Sequence, residues 1–393
     1  MAENKYDVIV VGGGMMGSAA ARHLTRAGVS VAVVAPSEPA DKPSHAGPFA
    51  SHYDEARITR KLATDPDWSL LSIRSIERYA ALEAETGIGF YKPCGALMAA
   101  SPRNAAEGIV DRIAAVDRRF DIGAERWRGD EVEAHLPFLA FPNDAAVFYE
   151  RSGGGYINPR AHVRAQLQAA RAGGADIFAR PAIVIKETTQ DVWVTLEGGE
   201  VLQAGKVIVA SGAYAGLQGF LPDPAPLKIY ARTVVFLEVD DQEAQRLRDM
   251  PSLIFYPPDL DHDVYVLPPV RYPDGKHYIK IGGDPTDIML TSQSEITEWF
   301  RTRGTLSLIP YLSNILMQIL PGLRVLSRHS APCMTSFSPS GKPLIYDASD
   351  RTVVLTAGNG AGAKNADELG RLGALRARGE TLAGEGYRTD FKP

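Results

Sequence analysis

The sequence predicts an α/β protein of two lobes (α+β in overall arrangement), one opened by a complete β-α-β unit and the other built on an antiparallel sheet. Three observations predict it: a β-branched strand breaking into a glycine-rich turn, apolar–polar alternation in the second half, and a length of 393 residues, ample for two lobes.

Tyr6-Asp7-Val8-Ile9-Val10-Val11 is a continuous apolar run of the kind that fills a buried parallel strand, and it passes directly into Gly12-Gly13-Gly14-Met15-Met16-Gly17. Small helix-forming residues follow from Ser18 to Ala27, Gly28 ends the helix, and Val29 to Val34 supplies the second strand. This is GxGxxG in its Rossmann-like context. Gly12 permits the tight turn, Gly14 lets the backbone approach a pyrophosphate, and Gly17 allows close helix packing. Met15 and Met16 then open the helix, whose free N–H groups face the anion. An acidic residue usually ends the second strand and holds a ribose hydroxyl, but Ala35 stands there, leaving Ser37 or Glu38 as substitutes.

Beyond this unit the chain does not continue as repeated β-α-β. Pro159 to Ala172 reads as a helix, Ile183 to Ile185 and Val192 to Leu196 as strands, and Leu227 to Val239 as an alternating strand. Ser252 to Gly283 is strand-rich with turns at Pro257-Pro258 and Pro273-Asp274-Gly275. Glu295 to Leu320 and Asn365 to Ala383 read as helices. The nucleotide lobe is expected from residues 1–90, 150–220 and 325–393, and the substrate lobe from 91–149 and 221–324.

Composition excludes several classes. A net charge of -5, with no run of like charge, disfavours nucleic acid and anionic membranes as partners. Two cysteines, Cys94 and Cys333, rule out a disulfide framework or a Cys-rich metal site and fit a cytoplasmic setting. Met1 to Lys5 leads straight into the first strand without signal-peptide features, and no stretch approaches the roughly 20 apolar residues of a membrane span.

Several separated segments resemble the amine- and amino-acid-oxidising flavoenzymes related to D-amino-acid oxidase, including monomeric sarcosine oxidase and N-methyl amino acid oxidases. They are the β-α-β unit; Ser51-His52-Tyr53-Asp54-Glu55-Ala56-Arg57-Ile58-Thr59-Arg60; Lys206-Val207-Ile208-Val209-Ala210-Ser211-Gly212-Ala213; Tyr278-Ile279-Lys280-Ile281-Gly282-Gly283; Ala331-Pro332-Cys333-Met334-Thr335; and Val354 to Lys364 with Gly358, Gly360 and Gly362. Order and spacing agree along nearly the whole chain.

The resemblance implies a GR2-type FAD lobe and an oxidase of a small secondary-amine amino acid, with dioxygen reduced to hydrogen peroxide. By resemblance, Lys280 is the oxygen-reactive lysine, and Arg57, with His52, faces the flavin. Ser51 and Gly212 contact the cofactor, and Cys333 carries it covalently. Arg60 and Lys364 are implied to clamp the substrate carboxylate, a pairing that suits a bidentate guanidinium beside an ammonium. Cys94 reads as a packing residue. Tyr53, Thr335 and Asp284 replace residues of sarcosine-oxidising relatives in the pocket, so the N-substituent is expected to differ. Sarcosine, other N-alkyl amino acids, iminodiacetate and cyclic imino acids stay open. A dicarboxylate would need a further cation, with Arg232 and Arg328 as candidates, and His329 is a further polar candidate. The alternatives are a dehydrogenase of the same fold using a quinone or carrier, a nicotinamide-dependent reductase, and a non-catalytic flavin-binding subunit. No metal is expected, and the chain is expected to be a monomer or small homo-oligomer.

Overall fold

The computed structural model describes residues 5–101, 108–260 and 262–393. Residues 1–4, on which the reading of the leading segment rests, lie outside the described residues. Two large sheets carry the architecture. In the first, Lys5–Val11 lies between Val31–Val34 and Val201–Val209 with parallel pairing on both sides. Thr352–Thr356 adds to the far side of Val201–Val209 and Asp176–Phe178 to Val31–Val34, again in parallel. Because both faces are covered, the central strand is apolar throughout its buried part, Val8 to Val11. Helices Met15–Arg26, Pro159–Ala172 and Gly362–Ala377 pack together on one face. The antiparallel strands Ala182–Glu187 and Val192–Leu196 extend this sheet at one edge.

The second sheet has nine strands, antiparallel except where Ser252–Tyr256 runs parallel to Ala96–Ala100. Its long centre is Lys228–Val239, flanked by His277–Gly282 and Ser327–Phe337. One face packs on helix Leu308–Ile319 through Val235, Leu237, Ile279 and Ile281. Antiparallel partners directly opposite share a face. Lys280, Phe236 and His329 therefore lie together on the other face, with Arg232 beside Cys333 and Tyr230 beside Thr335.

Three local readings change. Ser327–Phe337, grouped from sequence with the nucleotide lobe, is hydrogen-bonded along the whole of Lys228–Val239 and belongs to the second sheet. The helix read over 295–320 is two helices, Gln293–Arg301 and Leu308–Ile319, separated by a segment in which Gly304 takes a φ of +74°. The last helix spans Gly362–Ala377 and so begins inside the glycine-rich loop, not after it. No helix among the described residues is long and apolar enough to cross a membrane.

Candidate active site

The glycine-rich turn is sterically specified. Gly12 has a φ of +108°, and a Cβ on Gly17 would stand 1.8 Å from the Gly12 carbonyl oxygen. At Gly14, by contrast, a Cβ would meet only His52 Nδ1, at 3.9 Å, so this side of the turn opens onto free space. Gly14 is the N-cap of helix Met15–Arg26 and Ala361 that of Gly362–Ala377, and neither helix has a side-chain cap. Gly358 and Gly362 lie against Met16, which brings the two helix starts to one place. Two uncapped helix N-termini beside open glycine backbone suit a pyrophosphate. The Ser211 hydroxyl, just past the strand Val201–Val209, is buried without a partner, as is the Thr335 hydroxyl on the facing sheet. Gly212, with a φ of +59°, offers its carbonyl to the Thr356 hydroxyl at 2.8 Å. These features fit a dinucleotide lying between the lobes.

The ribose substitutes behave differently from each other. Ser37 is exposed. Glu38 is committed: its carboxylate receives two bonds from Arg160, at 2.7 and 2.8 Å, and lies 3.7 Å from Lys42. Arg160 also reaches Glu55 at 2.7 Å. Burial would raise the Glu38 carboxyl, but Arg160 and Lys42 hold it below its ordinary range.

Between the segment 51–57 and the open face of the second sheet lies a cleft of about 310 Å³, whose lining includes Tyr53, Asp54, Arg57, Phe236, Tyr272 and Cys333. Strand Arg57–Thr59, paired with Gly155–Ile157, fixes Arg57 at its edge. Arg57 Nη1 stands 3.3 Å from the Asp54 carboxylate, while Nη2 donates to the Ser51 carbonyl at 3.1 Å and approaches Cys333 Sγ at 3.8 Å. Burial opposes the Arg57 charge, but Asp54 together with smaller effects from the groups around it outweighs this, and the guanidinium stays protonated. Lys280 is 1% exposed and donates to the Asp54 carboxylate and the Ala56 carbonyl. Burial pulls its ammonium down to about 8, against the attraction of Asp54. Asp54 itself is held well below the carboxylate range, because Lys280 and Arg57 overcome the cost of burial. The Tyr272 hydroxyl donates to its other oxygen at 2.8 Å. His52 packs edge-on against Tyr53, and burial lowers its imidazole to about 4.

Arg60 and Lys364 form a second basic centre, in which burial lowers both side chains and, with Arg60 beside it, takes the Lys364 ammonium well below its ordinary value. Helix Gly362–Ala377 packs against strand Arg57–Thr59, which places Lys364 within electrostatic reach of Arg60. Lys364 is 4% exposed and donates to the Trp68 carbonyl at 3.1 Å and to the Ser72 hydroxyl, both neutral. Among the described residues neither cation forms an ion pair, and Arg60 Nε is buried without a partner. Glu150 lies nearby, but its carboxylate accepts the backbone N–H groups of Lys61 and Leu62 at 2.8 and 3.0 Å.

Asp284 is not among the residues lining the cleft. Its carboxylate accepts the backbone N–H of Thr233 at 3.1 Å and that of Thr286 at 2.9 Å, fixing the loop after Lys280. Arg232 is paired with Asp287 at 2.6 Å, Arg328 is exposed, and His329 stacks on Phe236 at the rim with 4.9 Å between ring centroids. Cys94 is half-buried. Sequence reasoning passed over Asp54 and Tyr272. Asp54 and Glu55 both stand between His52 and Arg57 in the chain, and only the fold shows that Asp54 meets the cations of the cleft while Glu55 turns to Arg160. Tyr272 sits at the turn before Pro273, and only folding brings it to Asp54.

A dinucleotide cradle facing an antiparallel sheet, with fixed cations between the two, defines a flavin-type oxidoreductase site. The chain belongs to the FAD dependent oxidoreductase (DAO) family, whose model matches residues 7–376. It is 26% identical over 385 residues to N-methyl-L-tryptophan oxidase of Yersinia pestis, covering 95% of each chain. Its fold is similar to that of NikD, an unusual amino acid oxidase essential for nikkomycin biosynthesis (20% identity, 99% of this chain and 97% of that one, TM-score 0.75). It is also similar in fold to iminodiacetate oxidase from Chelativorans sp. BNC1 (19% identity, 98% of both chains, TM-score 0.69).

Proposed function

We propose that this FAD-dependent oxidoreductase oxidises the carbon–nitrogen bond of a small amino acid, most readily a secondary amine, with dioxygen as acceptor. The observation that carries the reading is the pair Arg60, half-buried, and Lys364, buried, two basic side chains that form no ion pair among the described residues, next to the cofactor cradle. Arg60 without an ion pair calls for a counter-ion, and a substrate carboxylate would supply it while favouring the protonated form of Lys364 beside it. Once anchored there, the amino acid has its amine and α-carbon held in one orientation, which is the contribution expected from the protein when a cofactor carries the chemistry.

Held in this cradle, FAD would supply the redox chemistry, taking up a hydride from the carbon attached to nitrogen, with the two electrons and two protons ending on dioxygen as hydrogen peroxide. The substrate, having lost the hydride and the amine proton, is an imine, and water converts it to an amine and a carbonyl compound. Arg57, Lys280 and Asp54 together carry one excess positive charge at the cleft. Such a charge favours the electron-rich oxygen species of the acceptor step. Cys333, beside the Arg57 guanidinium, is the residue we assign to covalent attachment of the flavin. Supporting the amino-acid reading is the N-methyl-L-tryptophan oxidase of Yersinia pestis, matched over almost its whole length.

The test is anaerobic mixing of the yellow holoenzyme with a panel of N-substituted amino acids. Bleaching near 450 nm, the flavin band, by one or more of them is expected, and esters of the same compounds should fail to bleach. Equal bleaching by acid and ester would overturn the carboxylate role. Oxygen uptake without added dye separates an oxidase from a dehydrogenase of the same fold.

A further inference from the structure

We propose that Asp54 is a positioning residue that holds Lys280 as an ammonium and fixes it together with Arg57 at the cleft. Lys280 stands in the middle of strand His277–Gly282, on the face opposite Ile279 and Ile281, and is 1% exposed. An ammonium placed there alone would give up its proton. The buried carboxylate of Asp54 bonds it directly, and the same carboxylate lies 3.3 Å from Arg57 Nη1.

Asp54 is itself anchored. One carboxylate oxygen accepts the Tyr272 hydroxyl and the Glu55 backbone N–H, both at 2.8 Å, and the Asp54 backbone N–H donates to the His52 carbonyl at 2.8 Å. Two strands and one turn therefore meet at a single carboxylate. Its loss would leave the buried Lys280 and the half-buried Arg57 facing each other without a counter-charge.

The charged and titratable groups around Lys280 are few. Asp54 and Arg57 come from the segment 51–57, and Cys333 from strand Ser327–Phe337. Tyr265, from Val264–Arg271, and Tyr272 face Asp54 and Arg57, and burial keeps both phenols protonated. Asp54 is thus the one carboxylate of this set. Burial and Arg57 together bring Lys280 to about 8 even with Asp54 present. Removing the carboxylate charge takes away the attraction and leaves both opposing effects.

The experiment titrates the Lys280 side-chain nitrogen by NMR in holoenzyme carrying 15N-lysine, with Lys280→Met to assign the signal. In Asp54→Asn the midpoint should fall by more than about one pH unit, a tenfold change in the protonation equilibrium. Asp54→Glu, which keeps the charge, should restore most of the shift. An unchanged midpoint in Asp54→Asn overturns the proposal. Should that variant not fold, the wild-type protein decides: the 13C signal of the Asp54 carboxylate should step at the Lys280 midpoint, and a flat signal overturns the idea. The consequence for oxygen rests on the function proposed above. Reoxidation in Asp54→Asn should then be lost selectively at higher pH, whereas Lys280→Met loses it at every pH. The NMR result stands whether or not Lys280 serves the oxygen reaction, so the two readings fail separately.

Discussion

Arg57 brings one guanidinium nitrogen to 3.8 Å from Cys333 Sγ while another stands 3.3 Å from the Asp54 carboxylate. The contact holds the sulfur in the lining of the cleft. The expected outcome is covalent flavin: acid-precipitated protein stays yellow, and Cys333→Ser gives a colourless pellet with FAD in the supernatant. Arg57→Gln should lower the attached fraction. A colourless wild-type pellet rejects the assignment.

Lys280→Met should slow reoxidation of the reduced enzyme by oxygen by about 100-fold or more, the scale for removing one preorganised charge-stabilising group. Flavin reduction by the amine should change by less than tenfold, that is, by under about 1.4 kcal/mol. Stopped-flow measurement of the two half-reactions checks this, and equal losses in both would sink the role given to Lys280.

Arg60→Gln should raise KM about 10- to 100-fold, since a charge-assisted hydrogen bond contributes about 1.5–3 kcal/mol. Lys364→Met should also raise KM. Its melting temperature without substrate should stay level or rise, because a buried polar group with neutral partners gives way to an apolar chain of similar length. A large fall in melting temperature with unchanged KM would make Lys364 a structural residue.

Gly17→Ala should lose FAD, since its methyl group would meet the Gly12 carbonyl oxygen and push the helix start out of place. The flavin-to-protein absorbance ratio reads the result directly. Gly174→Ala is a poor control, because its φ of +95° strains any side chain; Ala383→Gly, on an exposed tail segment, serves better.

Acid should destabilise the fold in two stages. Burial lowers the imidazoles of His52 and His162 to about 4, against an ordinary 6.5. Below pH 6.5 the unfolded chain takes up protons that the folded chain refuses, so stability is lost as pH falls from about 6.5 towards 4. His162→Gln should flatten this limb in urea unfolding followed at several pH values. The carboxylates of Asp54 and Asp367, held well below 3.8 in the folded protein, contribute stability above that value and lose it only at lower pH.

Much was legible in the chain itself. The β-α-β unit could be read because its constraints are local: a turn at Gly12 and helix packing at Gly17 are demands of neighbouring backbone. The helix Pro159–Ala172 was equally legible, with Asn158 capping it and Pro159 opening it. Alternation around Lys280 correctly separated its face from that of Ile279 and Ile281, since strand period is a local property. What the alternation left open was whether the other face meets water or protein. Tertiary structure decided that Lys280 is buried, that Asp54 from more than 200 residues away is its partner, and that Tyr272 completes the cluster. It decided equally that Glu38 is spent on Arg160 and that Asp284 serves a turn. Local pattern specifies backbone and face, whereas a buried charge takes its meaning from whichever counter-charge folding brings within bonding distance.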